Sequence, residues 1–118
     1  DIAIIEDGYS VTVGDSNATC DSLYMNNYNN NNHNYNMLTI DSNRTLTINN
    51  GVYVNYYGDS YDYECFIKVY GTFNVGNNIT IKRDLNKWKT IQLYSSGGTI
   101  DVDGDIIFNY IDGPEWES

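Results

Sequence analysis

The sequence predicts an all-β fold, a short parallel β-helix (β-solenoid) of about four coils, and three observations carry that prediction. First, in Leu38 to Val54 (LTIDSNRTLTINNGVYV) apolar residues alternate with polar ones in three short runs. Leu38 and Ile40, Leu46 and Ile48, and Val52 and Val54 would each point to one side of a strand, leaving the threonines, Asn49 and Tyr53 on the other. Second, the breaks between runs are Asp41-Ser42-Asn43 and Asn49-Asn50-Gly51, residue types that form tight turns at small cost. Third, the three-run unit recurs along the chain with only a few turn residues between runs. Such short connections suit solenoid corners better than the crossovers of a Greek-key β-sandwich, which is the alternative architecture with the same alternation.

Taken in order, the first coil is Ile2 to Met25, with alternation in Ser10 to Val13 and Leu23 to Met25 and turns at Asp7-Gly8 and Gly14 to Asn17. The asparagine tract that follows has no apolar period and reads as a solvated insertion at 26–37, outside the core. Leu38 to Val54 is the second coil, and a tyrosine-rich acidic stretch at 56–64 is a second polar insertion. The third coil runs from Phe66 to Ile81, broken at Gly71 and Gly76-Asn77. The fourth has runs at Thr90 to Tyr94, Thr99 to Val102 and Asp105 to Tyr110. The step from Ile67 to Ile91 falls near the periods of solenoid repeats, roughly 20 to 29 residues. Only Arg83 to Lys89 could form a turn or two of helix. Residues 1–118 therefore read as one solenoid domain ending in an acidic tail at 111–118.

Composition narrows the choice of partners. The net charge is −10 with 6 basic residues in 118, which disfavours nucleic acid and anionic membranes, since both need neutralising Lys and Arg. No apolar run approaches the roughly 18 residues of a membrane-spanning helix. Asp1 reads as the start of a mature chain or of a fragment. Cys20 and Cys65 lack zinc or redox spacing and in a secreted chain would form one disulfide. On the chain-entropy model, closing that loop would stabilise by roughly 4 kcal/mol. Sequons at Asn17, Asn43 and Asn78 point the same way, to a glycoprotein that is secreted and extracellular or at the cell surface.

The phrases SVTVGDSNATC, LTIDSNRTLTINNGVYV, KVYGTFNVGNNITI and GGTIDVDGDIIF resemble the β-helical segments of secreted microbial surface proteins, autotransporter-type adhesins and extracellular fibre proteins. Gly71-Thr72-Phe73 and Gly98-Thr99-Ile100 fall where the coil pattern of those segments places its Gly-Thr pairs. The resemblance spans about residues 3–110. It implies a fold and a cell-surface location more than an activity.

The residues that could carry chemistry are few. Asp101, Asp103 and Asp105 alternate, and in a strand would share a face about 7 Å apart, a candidate platform for Ca2+. The spacing fails an EF-hand loop, because Ile106 stands where glycine is required. Asp59, Asp62 and Glu64 have tyrosines rather than basic residues as neighbours, so neither a glycosidase pair nor a lyase centre is indicated. His33, the one histidine, sits in the polar tract without a second ligand or a nucleophile nearby. No catalytic residue, cofactor or enzymatic activity is assigned.

Two surface features suggest partners. Tyrosine reaches 12 residues, crowded between Tyr24 and Tyr70, where it could form packing ladders or stack on sugar rings. Lys82, Arg83, Lys87 and Lys89 form a basic seam in a chain whose first 43 residues hold no Lys or Arg. A short solenoid also exposes strand edges at both ends. Ile2, Ile4 and Ile5 could provide one such edge, and Trp116 could anchor the tail. The expected function is a structural subunit of an extracellular filament or surface layer, assembling head-to-tail through strand pairing with copies of itself. The alternative is a surface carbohydrate-binding or adhesive module with glycans as partners.

Overall fold

In the run Thr45–Ile48 burial alternates strictly, with Leu46 and Ile48 buried and Thr45 and Thr47 half-buried. The same alternation recurs in Thr72–Val75, so the period of two read from the sequence is the period of the structure. A computed structural model describes residues 1–6, 9–27, 35–56, 64–84 and 90–111. Among these it contains β1 (Ile2–Ile5), β2 (Ser10–Val13), β3 (Ala18–Cys20), β4 (Ser22–Asn27), β5 (Tyr35–Ile40), β6 (Thr45–Ile48) and β7 (Val52–Tyr56). β8 (Glu64–Val69), β9 (Thr72–Val75), β10 (Ile79–Asp84), β11 (Thr90–Ser95), β12 (Thr99–Val102) and β13 (Ile106–Ile111) follow.

Every pairing among these strands is parallel. The chain visits three sheets in rotation. Sheet A has five strands in the order β1-β4-β7-β10-β13, sheet B four in the order β11-β8-β5-β2, and sheet C four in the order β12-β9-β6-β3. This is a parallel β-helix with triangular coils, and antiparallel sandwich packing is excluded.

Each inward position forms a row that runs up the stack. Leu46, Phe73 and Ile100 are register partners, as are Leu23, Val52, Ile79 and Ile106. The middle coils bury these rows almost completely: Phe73, Val52, Val54, Ile40 and Ile48 are all 0% exposed. At about 1.5–3 kcal/mol per fully buried aliphatic or phenyl side chain, these rows are the main favourable term of the fold. The corners are tight. A methyl group at Gly71 would collide with the carbonyl oxygens of Arg44 and Asp41, and one at Gly76 with that of Asn49.

Side-chain hydrogen bonds then join successive coils at the corners. Asn17 Oδ1 accepts from the Thr45 backbone N–H at 2.9 Å, Asn78 Oδ1 accepts from Asp105 N–H at 2.8 Å, and Arg44 Nε donates to the Gly14 carbonyl at 2.7 Å.

Several expectations need correction. β3 (Ala18–Cys20) is a full member of sheet C, although the sequence reading assigns no run between the turn at Gly14 to Asn17 and Leu23. Ile67 pairs with Leu93, and Ile91 with Cys65, so the repeat there is two residues longer than the step to Ile91. Arg83 and Asp84 end strand β10, not a helix, while 85–89 lie outside the described residues. The polar insertions are narrower than 26–37 and 56–64, because Asn26, Asn27, Tyr35 to Met37, Tyr56 and Glu64 belong to strands.

Asn36 is moreover 0% exposed, inside the core that the asparagine tract was expected to avoid. Its Nδ2 donates to the carbonyls of Ile5 at 3.1 Å and Asn26 at 3.0 Å. Ile5 ends β1 and Asn26 is next to last in β4, so the amide ties the ends of two neighbouring strands to β5.

Cys20 and Cys65 are free thiols, and the expected disulfide is not formed. They lie in sheets C and B, five strands apart in a three-strand cycle. At roughly 4.8 Å per coil that rise alone is about 8 Å, beyond the ~7 Å Cα separation a disulfide spans.

Candidate functional site: the two open ends of the stack

The coil at the N-terminal end is built from smaller residues than those above it. Register places Ala3 and Ile5 on the rows of Leu23 and Met25, Val11 and Val13 on those of Leu38 and Ile40, and Ala18 and Cys20 on those of Leu46 and Ile48. These are inward positions, yet Val11 is 42% exposed, because no coil lies beneath it among the described residues. An apolar cavity of about 260 Å3 opens there, lined by Ala3, Val11, Val13, Ala18, Cys20 and the floor of Leu38 and Leu46.

The opposite end is apolar as well, but its residues are larger. Ile106 and Phe108 share rows with the buried Ile79 and Ile81, and are 47% and 57% exposed. Leu93, Ile100 and Val102 pack against the core from the last strands of sheets B and C. One end of the stack is thus a hollow of small side chains and the other a set of bulky ones, each bordered by strands that have a neighbour on one side only among the described residues.

No protein-family model, curated protein or solved structure matches the chain.

The residues singled out from the sequence distribute unevenly around these ends. Ile2 and Ile4 belong to edge strand β1 and are 64% and 55% exposed on the outer face of sheet A. Ile5 points inward and is buried, so its side chain is part of the core and not of an outward contact. Lys82 is exposed in β10, in register with Asn55 and Asn109, and Arg83 follows it in the same strand. Lys87, Lys89 and Trp116 lie outside the described residues, as do His33, Asp59 and Asp62.

Asp101, Asp103 and Asp105 do not share one strand face. Asp101 lies in β12, whereas Asp103 and Asp105 flank the corner at Gly104. Among the described residues no group of three His, Cys, Asp or Glu side chains converges on a point where a metal could bind.

The tyrosines are also placed by register. Tyr24 and Tyr53 are partners on the outer face of sheet A, stacked with centroids 4.8 Å apart and planes at 21°. That spacing is the coil rise, so each ring covers a face of the other and the pair acts as a packing ladder. Tyr70 and Tyr94 meet edge to face at 6.4 Å near the corner between sheets B and C. A polar trough of about 290 Å3 on sheet C, with Thr47, Asn74, Asp101 and Asp103 in its lining, has no aromatic residue among its lining residues.

The open ends are what sequence reasoning anticipated only as bare edges. The size difference between them is visible in the strings ATC and TIDV once those are known to occupy one row set, and that register is what the sequence alone did not disclose. Among the described residues, no helix is long and apolar enough to cross a membrane.

Proposed function

We propose that the protein is a non-enzymatic structural subunit that assembles head-to-tail with its own copies into an extracellular filament or surface layer. The observation that carries this reading is the pair of uncovered apolar ends, hollow on one side and bulky on the other, in a stack whose sheets all run parallel. Parallel coils have a direction, so the two ends differ and a contact between them is heterologous. Repetition of a heterologous contact that does not close on itself builds a fibre.

The secreted setting rests on the sequons. Asn17 and Asn43 are exposed, and Asn43 has a left-handed backbone with φ of 65° at its corner. Negative-stain electron microscopy with light scattering across a concentration series tests the reading. Fibres of regular width with mass growing with concentration are the expected result. A monomer that persists at high concentration would refute it.

The second reading, a carbohydrate-binding or adhesive module, draws on one observation. In sequence, the segments between a strand of sheet A and the next strand of sheet B are 6–9, 28–34, 57–63 and 85–89. Two of them, 28–34 and 57–63, are rich in Tyr, Asn and Asp, residue types common in recognition surfaces. Binding of the monomer to a glycan array would favour this reading.

A further inference from the structure

The strand count constrains how two copies can meet. Among the described residues, thirteen strands distributed over three sheets leave sheet A with five and sheets B and C with four each. β13 has therefore already taken the place in sheet A that begins the next coil. If a second copy lays its β1 on β13, its β2 and β3 must sit one level further on. Sheets B and C would then each miss a strand at the junction, leaving β11 and the neighbour's β2 about twice the normal spacing of roughly 4.8 Å apart. The bulky rows of Leu93, Ile100 and Val102 would face a slot and not a partner.

The slot closes if one of the two sheet A strands is removed. Following register from strand to strand, Ala3 aligns with Leu23, Val52, Ile79 and Ile106, and Ile5 aligns with Met25, Val54, Ile81 and Phe108. β1 and β13 are thus equivalent occupants of the place next to β4. β13 is the better of the two on three counts. It pairs with its own neighbour over six residues, while β1 covers only Ser22 to Met25 of the six-residue strand β4. It would put isoleucine where β1 has Ala3, and phenylalanine where β1 has Ile5. It would do so beside the cavity of about 260 Å3 that the small residues leave.

Resting on the head-to-tail reading above, we infer that β13 of one copy displaces β1 of the next and pairs with that copy's β4, so that assembly proceeds by strand exchange. The neighbour's β2 then lies directly on β11 and its β3 on β12, with Ala18 meeting Ile100 and Cys20 meeting Val102. All three sheets run through the junction without a gap. The occupant of the hollow end is a second copy of this chain because its bulky rows repeat the inward rows that the hollow end continues.

Two experiments separate this inference from the broader reading. In a C20A/C65A background, the pairs Tyr24→Cys with Ile107→Cys and Ile4→Cys with Ile107→Cys are oxidised under assembly conditions and run on non-reducing gels. Register partners in adjacent parallel strands lie within disulfide reach, whereas within one chain Tyr24 and Ile107 are three coils apart. Strand exchange predicts intermolecular bonds for the first pair and none for the second. The reverse result overturns exchange and leaves head-to-tail stacking standing.

A chain lacking residues 1–5, checked for native circular dichroism, is the second test. It should still assemble, and at a lower critical concentration than the full chain, because the strand to be displaced is gone. Loss of assembly in that folded variant overturns the inference, since β1 would then be the docking strand. If the full chain never forms particles larger than a monomer, both the inference and the reading on which it rests fail.

Discussion

At the scale of single residues, Asn36 and Cys65 are neighbours in register on sheet B, and both are fully buried, yet they behave in opposite ways. Asn36 brings donors to the Ile5 and Asn26 carbonyls. Asn36→Ala should lower unfolding free energy by about 1–3 kcal/mol through the loss of these two hydrogen bonds. Urea denaturation checks this, and an unchanged midpoint would mean the carbonyls find other partners.

Cys65 brings no charge: burial pushes its thiol from the ordinary 9.0 up to about 12. Below pH 9 both folded and unfolded chains keep the proton, and stability is unaffected by this group. Between pH 9 and 12 only the unfolded chain releases it, so stability should fall with rising pH. Because the thiolate is the reactive form, an alkylating reagent at neutral pH should label Cys20, which is partly exposed, well before Cys65. Equal labelling of the two in the native protein would contradict the burial of Cys65. Burial also raises the thiol of Cys20 above its ordinary value, so its labelling should be slow compared with a free thiol.

At the scale of elements, the strands are held at their corners by close backbone approach, and two glycines separate the causes of that requirement. Gly76 has no room for a methyl group because the Asn49 and Ile48 carbonyls lie against it, whereas Gly97 faces open space but has a φ of +72°. Gly76→Ala should cost about 1–3 kcal/mol through forced displacement of two coils, and Gly97→Ala about 1 kcal/mol through backbone strain. Thermal unfolding of the pair checks the order, and a larger loss at Gly97 would show that corner geometry matters more than coil contact.

The same contrast explains what could be read beforehand. Leu38 to Val54 was legible because its inward residues are large and aliphatic and its turns carry Asp, Asn and Gly. β3 was hidden because Ala18 and Cys20 stand at the end of the stack, where no lower coil demands bulk. The alignment of the fourth coil slipped by two residues because an alternation of period two looks the same after such a shift, and only pairing across the sheet shows that Leu93, not Ile91, continues the row of Ile67. Asn36 was missed because a buried amide inside an asparagine tract has no signature in hydropathy. Of the candidate site, the edge strand Ile2–Ile5 was visible in sequence, while the equivalence of β1 and β13 required the register of five strands.

At the scale of the whole molecule, two kinds of contact could drive association, and salt distinguishes them. Every copy carries a net charge of −10, so copies repel one another at low ionic strength. A contact made through the basic seam at Lys82 and Arg83 against an acidic face would be attractive and would weaken as salt screens it. A contact made through the ends buries Phe108, Ile106 and Ile100 against small apolar residues, and salt removes only the opposing repulsion. Association should therefore strengthen when NaCl is raised from about 20 mM to about 500 mM, a range over which the Debye length falls from roughly 20 Å to a few ångström.

Phe108→Ala tests the same contact from the side chain. More than half exposed in the single copy, Phe108 should change monomer stability by less than about 1 kcal/mol, since large losses follow from buried truncations. In the proposed head-to-tail assembly it would become a core residue, and its removal should shift the critical concentration upward by at least about tenfold, the equivalent of ~1.4 kcal/mol per contact. Sedimentation velocity of both proteins at the two salt concentrations reads all four values. Stronger association of the native chain at high salt, lost in Phe108→Ala, is the expected outcome. Weaker association at high salt with Phe108→Ala unaffected would move the contact from the ends of the stack to its basic seam.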